Sequence, residues 1–357
     1  MKSLLLIVRV LGDLFLRLLP FPIYRDYRFA FLVHSRDLND VYRKFPFARK
    51  LPQKLVKFWC KRSWPIVVSK VTGLKSQKDG KEVPGYIIGV PMTAHQMLEN
   101  RKLALRRIIQ ACKLAEKLGV KIVGLGALTS SVTKGGLDLL VKIKSKITTG
   151  NTLTAAVTFD HIQELLEKNP AVQGIAIVGG TGSIGQAISK LLVKNFPEKE
   201  YLIFAHTKEH LDDLLRELKQ IQNNVRLKSY LNDIKALKEA ELVIVATAAA
   251  EAIIKSQHLK QKAIVYDTTQ PQNIDRQIFK QRHDLIIYDG GLVDTPELKG
   301  RLPFSLPSKM VYACLGETIL LALEYYQENF SLGKTQIEKI LYIQQLAKKY
   351  NFKPAKL

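Results

Sequence analysis

The chain has 357 residues, enough for two domains that each bury a core of their own. Its formal net charge of +23 predicts acidic partners, such as an acidic carrier protein, anionic lipid headgroups or nucleic acid. Its three cysteines are an odd number without a C-x-x-C pair, which argues against a disulfide framework and a structural zinc site and predicts a reducing compartment and no metal.

The first 28 residues form an apolar N-terminal extension. Arg9, Asp13 and Arg17 interrupt it at four-residue spacing, which places them on one polar stripe of a helix. The apolar run is too short and too interrupted for a transmembrane span, and it lacks the small-residue cleavage site of a signal peptide. We expect an in-plane helix on an anionic membrane surface of an otherwise cytoplasmic protein. Packing of this helix on the protein or on a second subunit is the alternative.

Basic and aromatic residues alternate between Arg43 and Arg62. No acidic residue occurs there, and the stretch fits a docking surface, a membrane interface or single-stranded nucleic acid. The residues are Arg43, Lys44, Arg49, Lys50, Lys54, Lys57, Lys61 and Arg62, with Phe45, Phe47, Phe58 and Trp59.

The first half of the chain alternates predicted strands and helices. We expect strands at Phe29–Val33 and Ile122–Leu125, a helix from about Leu38, and a long helix at Leu98–Leu118 that Gly119 ends. Two loops rich in hydroxyl groups follow, at residues 126–131 and 147–155. Such loops either polarise a carbonyl or cap helices, and the pattern leaves both open.

A glycine-rich turn lies near the middle of the chain, in the segment GIAIVGGTGSIG at residues 174–185. It follows an apolar strand, opens a helix, and has the G-x-G-x-x-G spacing that seats a dinucleotide pyrophosphate at a helix N-terminus. A tight turn with nothing bound is the alternative. The predicted cofactor-binding residues of this turn are Gly179, Gly180, Thr181, Gly182, Ser183, Ile184 and Gly185.

The second strand of this domain, Tyr201–Ala205, indicates which dinucleotide binds. It ends in His206, Thr207 and Lys208, with no carboxylate to accept hydrogen bonds from the ribose hydroxyls of NAD. An imidazole, a hydroxyl and an ammonium group suit a 2′-phosphate. We therefore predict NADPH, and a solvated loop is the alternative.

Three more strands complete the predicted sheet, at Leu242–Thr247, Ala263–Tyr266 and Leu285–Tyr288. In a doubly wound sheet the carboxyl ends of such strands border the ligand crevice, so Thr247, Ala248 and Asp267 are candidate cofactor residues. Capping of a helix or turn is an equal alternative for Asp267 and Asp289.

The C-terminal segment predicts a helix from Pro307 to about Tyr326. This helix places Cys314 about two turns from its positive N-terminal end, and Lys309 is close in sequence. If the start of the helix faces the cofactor, both lower the pKa of the Cys314 thiol. A buried structural cysteine is the alternative.

The pattern as a whole predicts an α/β fold, with an N-terminal α/β domain at residues 29–155, a Rossmann-type doubly wound parallel sheet at residues 156–300, and C-terminal helices at residues 301–357 that pack back.

Six segments together closely resemble the long-chain fatty acyl-[acyl-carrier-protein] reductases of cyanobacteria. They are LGALTSS, ITTGNTLTA, VGGTGSIGQAISKLL, VYDTTQPQNID, YDGGLVD and LPSKMVYACLGETILLALE. The resemblance runs from about Phe29 to Asn351. It implies that residues 29–155 are the acyl-substrate domain, that Cys314 takes the acyl group from the carrier thioester, and that NADPH reduces the acyl-enzyme to a fatty aldehyde. Candidates for binding the oxyanion or orienting the nicotinamide are Ser130, Ser131, Thr149 and Asn151.

The same resemblance implies partners. The donor of the acyl group is an acidic acyl carrier protein or a coenzyme A thioester. An aldehyde-deformylating oxygenase consumes the aldehyde product. No specific nucleic acid is expected as a partner. The chain departs from the family where His206 replaces an arginine, and in its apolar extension and high charge, which indicate tighter membrane association or a different carrier. A reductase of an aminoacyl-tRNA or a shikimate-like acid, and a non-catalytic lipid-binding protein, are the alternatives.

Overall fold

The computed structural model describes residues 21–356 apart from 250, 251, 276, 297, 301, 303, 305 and 308. The predicted membrane helix with Arg9, Asp13 and Arg17 lies outside the described residues. The chain divides into two compact units. The first takes residues up to Gly150 with Asp294–Gly333 and Leu346–Phe352, and the second takes Asn151–Val293, Lys334–Gln345 and Lys353–Leu357.

The first unit contains a five-stranded sheet in the order β2-β3-β1-β4-β5. All neighbours pair in parallel except β2 and β3. Apolar side chains of the central strands, such as Phe31, Leu32, Ile87 and Val123, are buried. The strands are β1 (Arg28–Ser35), β2 (Ile66–Val71), β3 (Gly85–Thr93), β4 (Val120–Leu125) and β5 (Lys146–Thr148).

Five helices of this unit lie between those strands. They are α1 (Leu38–Lys44), α2 (Gln53–Arg62), α3 (Ala94–Glu99), α4 (Arg101–Lys117) and α5 (Leu128–Val132). Asp37 caps α1, and Gly119, at φ +77°, follows the end of α4. The long helix expected at Leu98–Leu118 is confirmed over Arg101–Lys117 but wrong in its start, because the Asn100 side chain accepts a hydrogen bond from Leu103 N and starts a new helix.

The C-terminal part of the first unit contributes β13 (Met310–Tyr312) and α10 (Ala313–Leu323). The helix predicted from Pro307 is therefore wrong in its start, since Met310–Tyr312 is a strand and the helix begins at Ala313. Helix α10 packs closely on β4, where Thr318 takes the space that a side chain would need at Gly124. Almost every residue of α10 is buried.

The second unit contains a six-stranded parallel sheet in the order β11-β10-β9-β6-β7-β8. Its strands are β6 (Gly174–Val178), β7 (Glu200–Ala205), β8 (Arg226–Leu231), β9 (Leu242–Val245), β10 (Ile264–Asp267) and β11 (Ile286–Asp289). The chain runs outwards from β6 to β8 and returns to β9 on the other side of β6. This reversal is the switch point at which doubly wound sheets bind ligands.

The helices of this unit flank the sheet, and the predicted α/β fold class is confirmed. They are α6 (Asn151–Lys168), α7 (Ser183–Asn195), α8 (Lys208–Ile221) and α9 (Ile278–Gln281). The remaining elements of the chain are β12 (Leu292–Asp294), α11 (Ile337–Lys349) and β14 (Lys353–Pro354).

Candidate functional site

The glycine-rich turn connects β6 to α7 at the switch point. Gly179 has φ +80°, and its N–H and that of Gly180 both donate to Phe204 O, at 3.1 and 3.0 Å. An added β-carbon at Gly179 would lie 2.8 Å from Ala246 O, just after β9. The structure thus brings the turn after β6 against the end of β9, as expected for a ligand crevice.

The four glycines of the turn meet different constraints. An added β-carbon at Gly185 would overlap the carbonyl of Gly179, and one at Gly180 would lie 2.6 Å from Ile203 Cγ2. Gly182 has an ordinary φ of −72° and caps α7 without a side-chain hydrogen bond. A β-carbon there would lie 3.2 Å from Gly179 O. A side chain at Gly182 would therefore occupy the space beside the helix N-terminus, which a dinucleotide pyrophosphate fits.

The other residues of the turn support its shape. The side chain of Gln186 donates to Thr181 O at 2.8 Å, and Ser183 Oγ lies 2.8 Å from Thr335 Oγ1. The N–H groups of Ser183 and Ile184 belong to the first turn of α7, where a helix has no internal acceptors. They are the groups that would meet phosphate oxygens.

The end of β7 carries the three residues predicted to select NADPH, and all three are exposed. His206 Nδ1 lies 2.7 Å from Asn232 Oδ1, so the ring is held by a residue that the sequence analysis missed. Lys208 Nζ lies 2.7 Å from Asp212 Oδ2, one turn along α8. Thr207 caps α8 without a side-chain hydrogen bond.

The candidates after β9 and β10 differ in their surroundings. Thr247 is half-buried and Ala248 is exposed beside the glycine turn. Asp267 is fully buried, and its Oδ1 accepts from Thr269 N at 2.9 Å and its Oδ2 from Asn273 N at 2.9 Å. Burial raises the pKa of Asp267 to about 6. Both carboxylate oxygens therefore shape the loop after β10, and a direct cofactor contact stays a prediction.

Cys314 lies at the start of a helix in the first unit. It is the second residue of α10, so it is closer to the positive end than the two turns expected from the sequence. Gly150, at φ +76°, packs on it, and a β-carbon at Gly150 would overlap the Cα and Cβ of Cys314. The loop after β5 and the first turn of α10 thus hold the cysteine from two sides.

Glu317, one turn beyond Cys314, has no exposed surface. Its Oε1 accepts hydrogen bonds from Gly150 N at 3.1 Å, from Ser331 Oγ at 2.7 Å and from the Thr148 hydroxyl. This carboxylate ties the loop after β5 to α10. The sequence analysis missed it, although a single acidic residue inside the apolar run of α10 was a usable signal.

The pKa of Cys314 moves in the direction opposite to the one expected. Burial raises it to about 12, and the negative charge of Glu317 adds to the increase. Hydrogen bonding from the backbone of Leu315 acts the other way but is weaker. The expectation of a lowered pKa is wrong for this state of the protein, because burial outweighs the helix N-terminus.

Of the remaining candidates, Ser130, Ser131 and Asn151 lie on helices, and Thr149 lies in the loop after β5. Ser130 is buried and Ser131 is exposed, both on α5, which starts after Ala127 at φ 47°. Thr149 donates its hydroxyl to Ser331 O at 2.6 Å. Asn151 begins α6 and belongs to the second unit. The two loop assignments, at residues 126–131 and 147–155, are therefore wrong in part.

Two further findings concern the described residues alone. No group of three or more His, Cys, Asp or Glu side chains among them could hold a metal ion. Within the same part of the chain, no helix combines the length and the apolar character needed to cross a bilayer.

Comparison with known proteins adds three similarities. The family model described as Shikimate / quinate 5-dehydrogenase matches residues 161–289. An "Aminotransferase PigE" of Serratia sp. is 32% identical over 281 residues, covering 76% of this chain and 32% of that protein. The chain thus spans about a third of that relative's length. A "Long-chain acyl-[acyl-carrier-protein] reductase" of Synechococcus elongatus is 27% identical over 345 residues, covering 91% of this chain and 97% of that protein.

A solved structure, quinate dehydrogenase from Corynebacterium glutamicum in complex with NAD, covers 70% of this chain and 82% of its own. It has 10% identity and a TM-score of 0.32. The matched range of the family model contains the glycine turn and the ends of β7, β9 and β10. The family model and the Synechococcus relative support an NAD(P)-dependent oxidoreductase and a nicotinamide cofactor.

Proposed function

We propose that the protein reduces a long-chain fatty acyl thioester to a fatty aldehyde, with NADPH as reductant and Cys314 as nucleophile. The observation that carries the proposal is the similarity to the Synechococcus acyl-[acyl-carrier-protein] reductase over nearly the full length of both chains. The partial exposure of Cys314 supports it, because Cys60 and Cys112 are buried and a nucleophile must reach its substrate.

The acyl group is transferred to the protein first. Cys314 Sγ bonds to the acyl carbonyl carbon, the bond from that carbon to the donor sulfur breaks, and the donor leaves as a thiol that carries the proton lost by Cys314. Since burial keeps the free thiol protonated, this proton must leave as the substrate arrives.

Reduction follows at the same carbon. Bound NADPH supplies the hydride. The resulting oxyanion needs hydrogen-bond donors, for which Ser130, Ser131 and Asn151 are the candidates. The bond from the carbon to Cys314 Sγ then breaks, the aldehyde leaves, and Sγ recovers a proton from water. Thioester, NADPH and one proton are thus converted to aldehyde, free thiol and NADP⁺.

The residues of the second unit fit this reductant. Gly182 and the N–H groups of Ser183 and Ile184 would hold the pyrophosphate, and His206, Thr207 and Lys208 would meet the 2′-phosphate.

The net charge of +23 favours an acidic carrier protein over a neutral donor. A cytoplasmic location and an oxygenase that consumes the aldehyde complete the proposal.

Product analysis tests this function. Purified full-length protein is mixed with NADPH and palmitoyl groups carried by acyl carrier protein or by coenzyme A, and aldehyde is trapped as a hydrazone. We expect aldehyde in proportion to NADPH consumed, faster with the carrier protein. NADPH oxidation without aldehyde, or no turnover with either donor, would contradict the proposal.

The match to the Shikimate / quinate 5-dehydrogenase model favours a second candidate, a dehydrogenase of a polar acid. It covers residues 161–289, about a third of the chain, which contain the glycine turn, so it bears on the dinucleotide more than on the substrate. NADP⁺ reduction with shikimate or quinate, unaffected by Cys314→Ser, would support this candidate instead.

A further inference from the structure

Helix α2 and the residues just after it expose large aromatic side chains. Val56 and Cys60 are its buried residues, four positions apart on one side of the helix. Phe58, on the opposite side, is 48% exposed, and Trp59, on a flank of the helix, is 43% exposed. Trp64, just beyond the helix, is 44% exposed. We refer to the exposed side of α2 together with Trp64 as the α2 patch.

The charges around these rings are positive. Residues 41–78 contain no acidic side chain. Lys54 and Lys57 lie on α2, both are exposed, and neither forms an ion pair with any described residue. Lys61 is the exception, with its Nζ 3.1 Å from Glu99 Oε2. The α2 patch therefore combines solvated cations with half-exposed rings.

Other contacts hold this arrangement in place. The guanidinium of Arg62 lies 4.0 Å from the ring centre of Phe58. The guanidinium of Arg107 lies 5.6 Å from that of Trp64, and it donates to the carbonyls of Lys61 and Arg62 at 3.1 and 2.9 Å. Arg107 thus caps the C-terminal end of α2 and fixes the direction of the patch.

We propose that the α2 patch docks on an anionic lipid bilayer. Lysine side chains would lie at the phosphate level, while Phe58, Trp59 and Trp64 would enter the headgroup region, where amphipathic aromatic rings are stable. Each basic residue near an anionic bilayer adds attraction that salt screens.

Two other acidic partners fit this surface less well. Single-stranded nucleic acid is bound in basic grooves with stacking platforms, whereas the rings of the α2 patch project from the outside of a helix. An acidic protein would satisfy the lysines but needs a complementary apolar surface to cover three half-exposed rings. A bilayer interface supplies both environments at once.

Tryptophan fluorescence tests the proposal directly, since Trp59 and Trp64 are the only two tryptophans of the chain. Full-length protein is titrated with vesicles of phosphatidylcholine alone or with 30% phosphatidylglycerol, about the anionic content that attracts polybasic segments. We expect a blue shift and quenching by brominated acyl chains with the anionic vesicles only. The N-terminal extension contains no tryptophan, so this signal belongs to the patch.

Matched variants separate the patch from general charge. Lys54→Glu with Lys57→Glu should lower partitioning roughly tenfold or more, because each replaces attraction by repulsion. Lys194→Glu with Lys219→Glu makes the same change in net charge on exposed residues of the second unit and should have a much smaller effect. Phe58→Ala should weaken binding, and Phe279→Ala, equally exposed at 48%, should not.

Three outcomes would overturn the proposal. One is an unchanged tryptophan spectrum while the protein sediments with anionic vesicles, which would assign binding to another part of the chain. The second is equal partitioning of the two charge variants. The third is a spectral shift with acyl carrier protein or oligothymidylate but not with vesicles. The proposal does not depend on the proposed reductase function. A wild-type protein that forms aldehyde but does not bind anionic vesicles would reject this inference alone.

Discussion

Gly150 packs directly on Cys314, with no space between them for a side chain. Its φ of +76° also lies in the left-handed region that favours glycine. Gly150→Ala should therefore displace Cys314 or the loop after β5. We expect aldehyde formation to fall about 100-fold or more, since misplacement by about 1 Å costs that much, while NADPH affinity stays within about twofold.

Gly80→Ala provides the control for backbone strain. Gly80 has φ +71°, but an added β-carbon would meet nothing within 4 Å. It should cost only the left-handed strain of about 1 kcal/mol and leave activity unchanged. Equal loss of activity in both variants, measured by aldehyde trapping and by thermal unfolding, would show that the Gly150 contact has no special role.

The charge of Glu317 is a secondary cause of the raised pKa of Cys314, after burial. Its negative charge disfavours the thiolate of Cys314, so Glu317→Gln removes that charge and should lower the pKa of Cys314. Because the thiolate is the alkylated form, the rate of iodoacetamide labelling against pH should move to lower pH in the variant. In the wild type the rate should rise about tenfold per pH unit from 6 to 9, as expected below a pKa of about 12.

Peptide mass spectrometry distinguishes Cys314 from Cys60 and Cys112, which are buried. Glu328→Gln, on an exposed residue of the same unit, is the charge control and should leave the profile in place. A wild-type profile that levels off between pH 6 and 8 would mean that the thiol is already activated, against the burial seen here.

Alanine substitutions at Gly182 and Gly185 distinguish an effect on cofactor binding from an effect on packing. Gly185→Ala forces a β-carbon into the carbonyl of Gly179 and should lower the free energy of unfolding by about 2 kcal/mol, as for other overpacked sites. Gly182→Ala fits the backbone but blocks the phosphate position, so NADPH affinity should fall tenfold or more, about 1.4 kcal/mol, with little loss of stability. Equal affinity of Gly182→Ala and wild type in calorimetric titration would remove the turn from the cofactor site.

Lys208→Ala tests the preference for NADPH. Loss of its ammonium group should weaken NADPH binding several-fold and leave NADH binding unchanged, because only NADPH carries the 2′-phosphate. Lys219→Ala, in the last turn of the same helix, is the matched control. If Lys208 stays with Asp212 in the bound state, the two variants will bind NADPH alike.

The cofactor half of the fold follows from its sequence. Local patterns such as the apolar strand before Gly179 and the helix after Gly182 predict β6 and α7 nearly to the residue, because burial on both faces of a parallel strand leaves a continuous apolar run. The parallel sheet and its switch point follow from the alternation of such strands with helices.

The start of α10 and the contacts of Cys314 could not be predicted from the sequence. The start of α10 depends on pairing and packing of distant segments, so Pro307 was a misleading signal. The contact of Gly150 with Cys314, and the hydrogen bonds of Glu317 with Gly150 and Thr148, join residues more than 160 positions apart. The raised pKa of Cys314 depends on burial, which no local pattern gives.

The proposed function depends most directly on formation of an acyl-enzyme at Cys314. Wild-type protein and Cys314→Ser are incubated with palmitoyl-acyl carrier protein without NADPH, and intact-protein and peptide masses are measured. We expect one palmitoyl group on the peptide that contains Cys314 in the wild type, discharged as aldehyde when NADPH is added, and none in the variant. A palmitoyl group on Cys60 or Cys112, or aldehyde formation by Cys314→Ser, would contradict it.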